Sequence, residues 1–145
     1  TKGQTLSVVE SCTGGAIAQM ITEVAGASSY FKGGLIPYST ALKTSVLKVD
    51  ATLIKKHTVV SVEVASAMAE NSRRLFDTDY AIATTGVAGP ALGDTDKEVG
   101  TVCIAIASSR AVLAEEFSFG NHRERVIAKA KNKALEMLLK ELSKN

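Results

Sequence analysis

LSVVESCTGGAIAQMI, residues 6–21, reads as a strand handing over to a helix through a glycine pair. Leu6 to Val9 form a short apolar run of the length a buried strand needs, and AIAQMI continues with helical spacing. Gly14 and Gly15 between them permit a tight turn. The opening unit of an α/β domain has this form, and it places Glu10, Ser11, Cys12 and Thr13 at the C-terminal end of the first strand.

Working outward, residues 5–10 predict the first strand and GAIAQMITEV the first helix. GGLIPYS, 33–39, predicts a second strand, with Pro37 marking an edge or an irregular end. STALKTSVL opens a helix capped by Ser39 or Thr40, and ATLIKKH predicts a separate short one. SVEVASAMAENSRRLF has Ser61 as cap, Glu63 in the first turn, and one face of Ala65, Met68, Ala69, Ser72, Leu75 and Phe76. DYAIATT predicts a buried strand. TVCIAIAS and AVLAEEFSF predict a hairpin about Ser109-Arg110, a dipeptide that two-residue turns do not favour. The last helix is expected to bury Ile127, Ala130, Ala134, Leu138 and Leu142. Early strands alternating with helices imply a three-layer α/β/α domain whose sheet is mixed and mainly parallel. At 145 residues the chain is expected to be a single domain, 1–145.

The composition narrows the function. No apolar run approaches the ~18 residues that a membrane-spanning helix requires. The start, TKGQTL, has no basic-then-apolar leader pattern, which sets a cytoplasmic expectation. A net charge of +2, no Trp and 5% aromatic residues argue against a nucleic-acid partner. RERVIAKAKNK, the densest basic run, alternates with apolar residues and reads as a solvated helix face. Two cysteines make neither a zinc pattern nor a disulfide framework.

Three polar or glycine-rich turns follow strands at their C-terminal ends: ESCTGG, YSTALK and TTGVAGPALGD. In open α/β sheets this is the edge that binds ligands. Gly14 and Gly15 would let amide N–H groups hold a phosphate or an oxyanion. ESCTGG is neither G-x-S-x-G nor a phosphate loop with its glycine-lysine pair. From the residues alone the nucleophile stays open between Ser11, which needs a base, and Cys12, which gains thiolate character at a helix start. His57 and His122 lie away from the three turns. Tyr38 and Lys43 lie in one of them. A lysine in water has a pKa of about 10.4, and burial would lower it enough to free a lone pair for Ser11's proton, with the Tyr38 phenol relaying the proton or orienting the nucleophile. Arg123 could meet a phosphate bidentately.

ESCTGG, GGLIPYSTALK, VSVEVASAMAE, TTGVAGP, KEVGTV and FGNHRERV, in this order, resemble the CinA C-terminal domain, whose stand-alone members include nicotinamide mononucleotide amidohydrolases. The resemblance covers residues 5 to 140. It implies hydrolysis of the nicotinamide carboxamide to a carboxylate and ammonia, with no metal or organic cofactor. It casts Ser11 as nucleophile with Tyr38 and Lys43 as activating partners, and Cys12 as a packed neighbour. Glu10, Thr13, Gly14, Gly15, Thr85, Gly86, Gly89 and Arg123 fall on substrate-binding positions, Arg123 at the phosphate. A homodimer or higher homo-oligomer is expected on the same ground. Thr40, Leu92 and Glu98 depart from the family pattern, each near the presumed substrate, and Glu98 is expected to repel a phosphate or occupy Lys97. The alternative reading is a non-catalytic nucleotide-binding or interaction domain of the same fold.

Overall fold

The computed structural model describes residues 3–93 and 95–144. Its strands are β1 (Leu6–Glu10), β2 (Phe31–Leu35), β3 (Tyr80–Gly86), β4 (Thr101–Ala107) and β5 (Val112–Ser118). The helices are α1 (Ala16–Thr22), α2 (Thr40–Ser45), α3 (Ala51–His57), α4 (Val62–Phe76) and α5 (Arg123–Leu142). The strands form one sheet in the order β2-β1-β3-β4-β5. β1 runs parallel to both β2 and β3, whereas β3–β4 and β4–β5 are antiparallel. The sheet is therefore mixed as expected: β2, β1, β3 and β5 run in one direction and β4 in the other.

Side chains alternate across the central strands and separate two cores. Ile82, Val102, Ile104 and Ile106 face α1 and α5, joining Ile17, Val126, Ala130 and Leu138. Ala81, Ala83, Ala105 and Ala107 face α4, where they meet Val64, Ala65, Met68 and Ala69. Small residues on both surfaces let α4 lie close against the sheet. Helices thus cover both faces, giving the three layers.

Several expectations shift in detail. β2 ends at Leu35, before the predicted 33–39 span is complete, because Pro37 brings no N–H to a ladder. The last ladder pair is Ala107–Val112, and beyond it Ser108 N donates to Ala111 O, so the hairpin turns about Ser109-Arg110 as expected. The Ser108 hydroxyl accepts from the amides of Arg110 and Ala111. Ser61 caps α4 by accepting from Val64 N, but Leu75 on its predicted inner face is exposed. In α5, Val126 and Met137 are buried beside Ala130, Ala134 and Leu138, while Ile127 and Leu142 are only partly covered.

From β1 the chain passes through α1 to β2 on one side, then through α2–α4 to β3 on the other. β1 is the switch point of the strand order, and the crevice outside its carboxyl end is where such sheets bind ligands.

Candidate functional site at the end of β1

The turn after β1 is organised by Glu10. Its carboxylate is fully buried. Oε1 accepts from Thr13 Oγ1 at 2.6 Å and from Ile17 N at 2.9 Å, and Oε2 accepts from Ala18 N at 2.9 Å. A helix leaves its first N–H groups without partners, and this carboxylate satisfies two of them where the N-cap Gly15 has no side chain to do so. Gly15 has a left-handed φ of 104°, and a Cβ there would press within 3.1 Å of Ile36 Cδ1. Thr13 Oγ1 also lies 2.9 Å from Thr84 Oγ1, tying the turn to β3. Ser11 N donates to Thr84 O. Ser11 is thereby fixed beside the end of β3.

Lys43 comes from α2, which Ser39 caps by accepting from Leu42 N. The side chain is buried, only 1% exposed. Its Nζ donates to Ser11 Oγ at 3.0 Å, to the Pro37 carbonyl at 2.9 Å and to the Tyr38 carbonyl at 3.4 Å. Because Pro37 lies outside the sheet ladder, its carbonyl is available to face the amine.

Ser11 and Lys43 line a cleft of about 450 Å³, together with Cys12, Thr40, Val59 and Val60. Thr85, Gly86 and the segment Val87–Gly93 close another side, with Tyr38 and Arg123 also on the lining. Among the described residues of this lining, Lys43 and Arg123 are the charged ones and no carboxylate is present. Thr85 Oγ1 donates to Val59 O. Gly89, with φ of 90°, has no room for a Cβ beside Val99.

The predicted site residues divide. Ser11, Lys43, Tyr38, Thr85, Gly86, Gly89 and Arg123 meet at the cleft. Glu10, Thr13, Gly14 and Gly15 do not line it; Glu10 and Thr13 build the turn from within, and the start of α1 is occupied by Glu10 rather than open to a phosphate. Tyr38 meets Lys43 through its carbonyl, while its hydroxyl accepts from Arg123 Nη2 at 3.1 Å. Arg123 Nη1 donates to Gly89 O at 2.6 Å, so one guanidinium joins both walls. Of the departures, Thr40 and Leu92 line the cleft, but Glu98 does not, and Lys97 pairs with Glu116 at 3.0 Å instead. His57 faces Glu63 at 3.8 Å and His122 begins α5; neither lines the cleft.

Burial pushes the Cys12 thiol from its usual 9.0 up to about 12, against the opposing pull of the Lys43 charge. A thiol so shifted carries almost no thiolate near neutrality. No helix among the described residues is long and apolar enough to cross a membrane.

Fold and geometry together define an α/β domain with a Ser–Lys pair at its topological switch point. The model of the CinA C-terminal domain matches residues 1–142, and the chain belongs to that family. A CinA-like protein of Flavobacterium psychrophilum is 52% identical over 99% of this chain, and one of Citrifermentans bemidjiense is 48% identical over 86%. The chain spans about a third of the length of these curated relatives, 34% and 30% respectively. Among solved structures, the competence damage-inducible protein A of Klebsiella pneumoniae superposes with a TM-score of 0.93 at 32% identity, covering 98% of this chain and 88% of that one. The competence/damage inducible protein CihA of Agrobacterium tumefaciens gives 0.90 at 34%, covering 94% and 84%.

Proposed function

We propose that the domain is an amidohydrolase that converts nicotinamide mononucleotide to nicotinate mononucleotide and ammonia, with Ser11 as nucleophile and Lys43 as its base. The observation that carries this reading is the buried Lys43 Nζ at 3.0 Å from Ser11 Oγ. A neutral amine has two N–H groups and one lone pair. Once deprotonated, the amine would keep its N–H groups for the Pro37 and Tyr38 carbonyls and turn a lone pair toward the Ser11 hydroxyl, to which the protonated Nζ donates.

In this mechanism Ser11 Oγ attacks the carboxamide carbon as its proton passes to Lys43. The amides of Cys12 and Thr13, which donate to no backbone carbonyl among the described residues, are the nearest candidates to receive the oxyanion. Lys43 returns the proton to the departing nitrogen, ammonia leaves, and an acyl-serine ester remains. Water then attacks that ester with Lys43 again as base, releasing the carboxylate and restoring Ser11. Arg123 at the outer wall, with no carboxylate among the described lining residues, suits the phosphate of the nucleotide.

Ammonia release from nicotinamide mononucleotide tests the proposal. Wild type should turn over, and Ser11→Ala and Lys43→Ala should each fall by roughly 10³-fold or more while Cys12→Ala retains most activity. An active Ser11→Ala variant, or an inert wild type that the nucleotide still protects thermally, would reject it, the latter in favour of a binding domain.

A further inference from the structure

Tyr38 ends the segment that delivers two carbonyls to Lys43, yet its phenol points to a different task. The hydroxyl accepts from Arg123 Nη2, a residue 85 positions away, while Ser11 Oγ and Lys43 Nζ are bonded to each other. The residue is 54% exposed. Among the described residues that line the cleft it is the one aromatic side chain. Arg123 is held in turn by Gly89 O at 2.6 Å, so the tip of the ring is tethered to the opposite wall.

An aromatic ring pinned at its hydroxyl and open on its face is pre-organised for stacking, because little rotamer freedom remains to be lost when a ligand arrives. From this geometry we infer that Tyr38 is the specificity-determining residue for a planar, cationic nitrogen heterocycle, with its ring as the surface on which that heterocycle rests and no part in the proton path. The inference rests on the proposed amidohydrolase reading for the identity of the heterocycle, a pyridinium bearing the carboxamide. The electron-rich face of a tyrosine attracts such a cation, whereas a neutral aliphatic amide of the same length finds no comparable partner. A carboxamide carried by the stacked ring would face Ser11 from above the cleft floor. The phosphate end would lie toward Arg123, sharing the guanidinium with Tyr38 and Gly89.

The experiment compares Tyr38→Phe and Tyr38→Leu. It measures kcat and KM for ammonia release and, by calorimetry, the Kd of two non-reacting probes: nicotinate mononucleotide, which has the ring, and ribose 5-phosphate, which lacks it. For Tyr38→Leu, KM and the nicotinate mononucleotide Kd should rise about tenfold, equivalent to about 1.4 kcal/mol, while the ribose 5-phosphate Kd should rise no more than the roughly threefold that loss of the Arg123 tether brings. Tyr38→Phe keeps the ring but loses the Arg123 tether, so KM should rise roughly threefold with a smaller change in kcat. If Tyr38→Phe instead lowers kcat by two orders of magnitude or more, the phenol returns to the proton path and the inference is overturned. Equal Kd values for wild type and Tyr38→Leu would overturn it as well, as would failure of wild type to bind the ring-bearing probe. If wild type binds that probe but releases no ammonia, the amidohydrolase reading fails while the Kd comparison still decides the role of the ring.

Discussion

Glu10→Gln is nearly isosteric and tests whether the turn after β1 is held by one buried carboxylate. Glu10 accepts three hydrogen bonds, from Thr13 Oγ1, Ile17 N and Ala18 N. In the glutamine variant the amide oxygen retains Thr13 and Ile17, and the NH2 group is then set against the Ala18 N–H, donor to donor. Leaving one buried donor unpaired costs about 1–3 kcal/mol, and the other two bonds lose their charge assistance. The total is about 3 kcal/mol, which for a domain of this size corresponds to a Tm lower by roughly 6–12 °C. Differential scanning calorimetry reads that shift directly. Because Ser11 adjoins Glu10 in this turn, kcat should fall with Tm while the fold persists, as far-ultraviolet circular dichroism would show. A Tm within about 2 °C of wild type would refute the reasoning, since it would mean the α1 N-terminus needs no carboxylate.

Four further outcomes are expected. At pH 8 a thiol of pKa about 12 is roughly 10⁻⁴ thiolate, against about a tenth at the usual 9.0, so iodoacetamide should label native Cys12 about a thousandfold more slowly than the denatured chain. The same shift makes stability alkali-sensitive: the unfolded thiol ionises from pH 9 upward while the folded one holds its proton until about 12, so this contribution is whole below pH 9 and lost as pH rises toward 12; urea midpoints taken across that window should fall, and less so in Cys12→Ala. Lys43→Arg should remain inactive in the ammonia assay, because a guanidinium stays protonated and cannot take Ser11's proton. Thr40→Asn, on the cleft lining, should alter KM for the nucleotide, whereas Glu98→Pro should leave it within about twofold because Glu98 lies outside that lining.

How much of this was legible in the sequence depended on separation along the chain. LSVVESCTGGAIAQMI disclosed its strand, turn and helix because the signals lie within sixteen consecutive residues. Periodicity likewise located α4 and its Ser61 cap. It misplaced Leu75, which lies in the last turn of α4 and is exposed. Serine and lysine were recognisable as candidates, but their approach depends on the strand order, which brings α2 over the end of β1. The Tyr38–Arg123 contact joins residues that no local pattern relates. Glu10 did leave a sign, a lone acid at the end of a wholly buried strand. Such a residue has to find buried donors, and the nearest are the orphan N–H groups of the following helix.

The alternation of large and small side chains across β3 and β4 sets different rules for sequence drift on the sheet's two faces. Toward α1 and α5, Ile82, Ile104 and Ile106 can shrink to valine for about 0.5–1.5 kcal/mol each, a loss a neighbouring enlargement can offset. Toward α4, Ala81, Ala83, Ala105 and Ala107 have no such latitude. Any enlargement there pushes on a helix backbone, and overpacking costs about 1–3 kcal/mol before α4 moves. In a library that randomises both faces, survivors should therefore vary freely in aliphatic identity beneath α1 and α5, and remain alanine, glycine or serine beneath α4. A helix that lends no residue to the cleft lining would thus have the bed in the sheet that is least free to change.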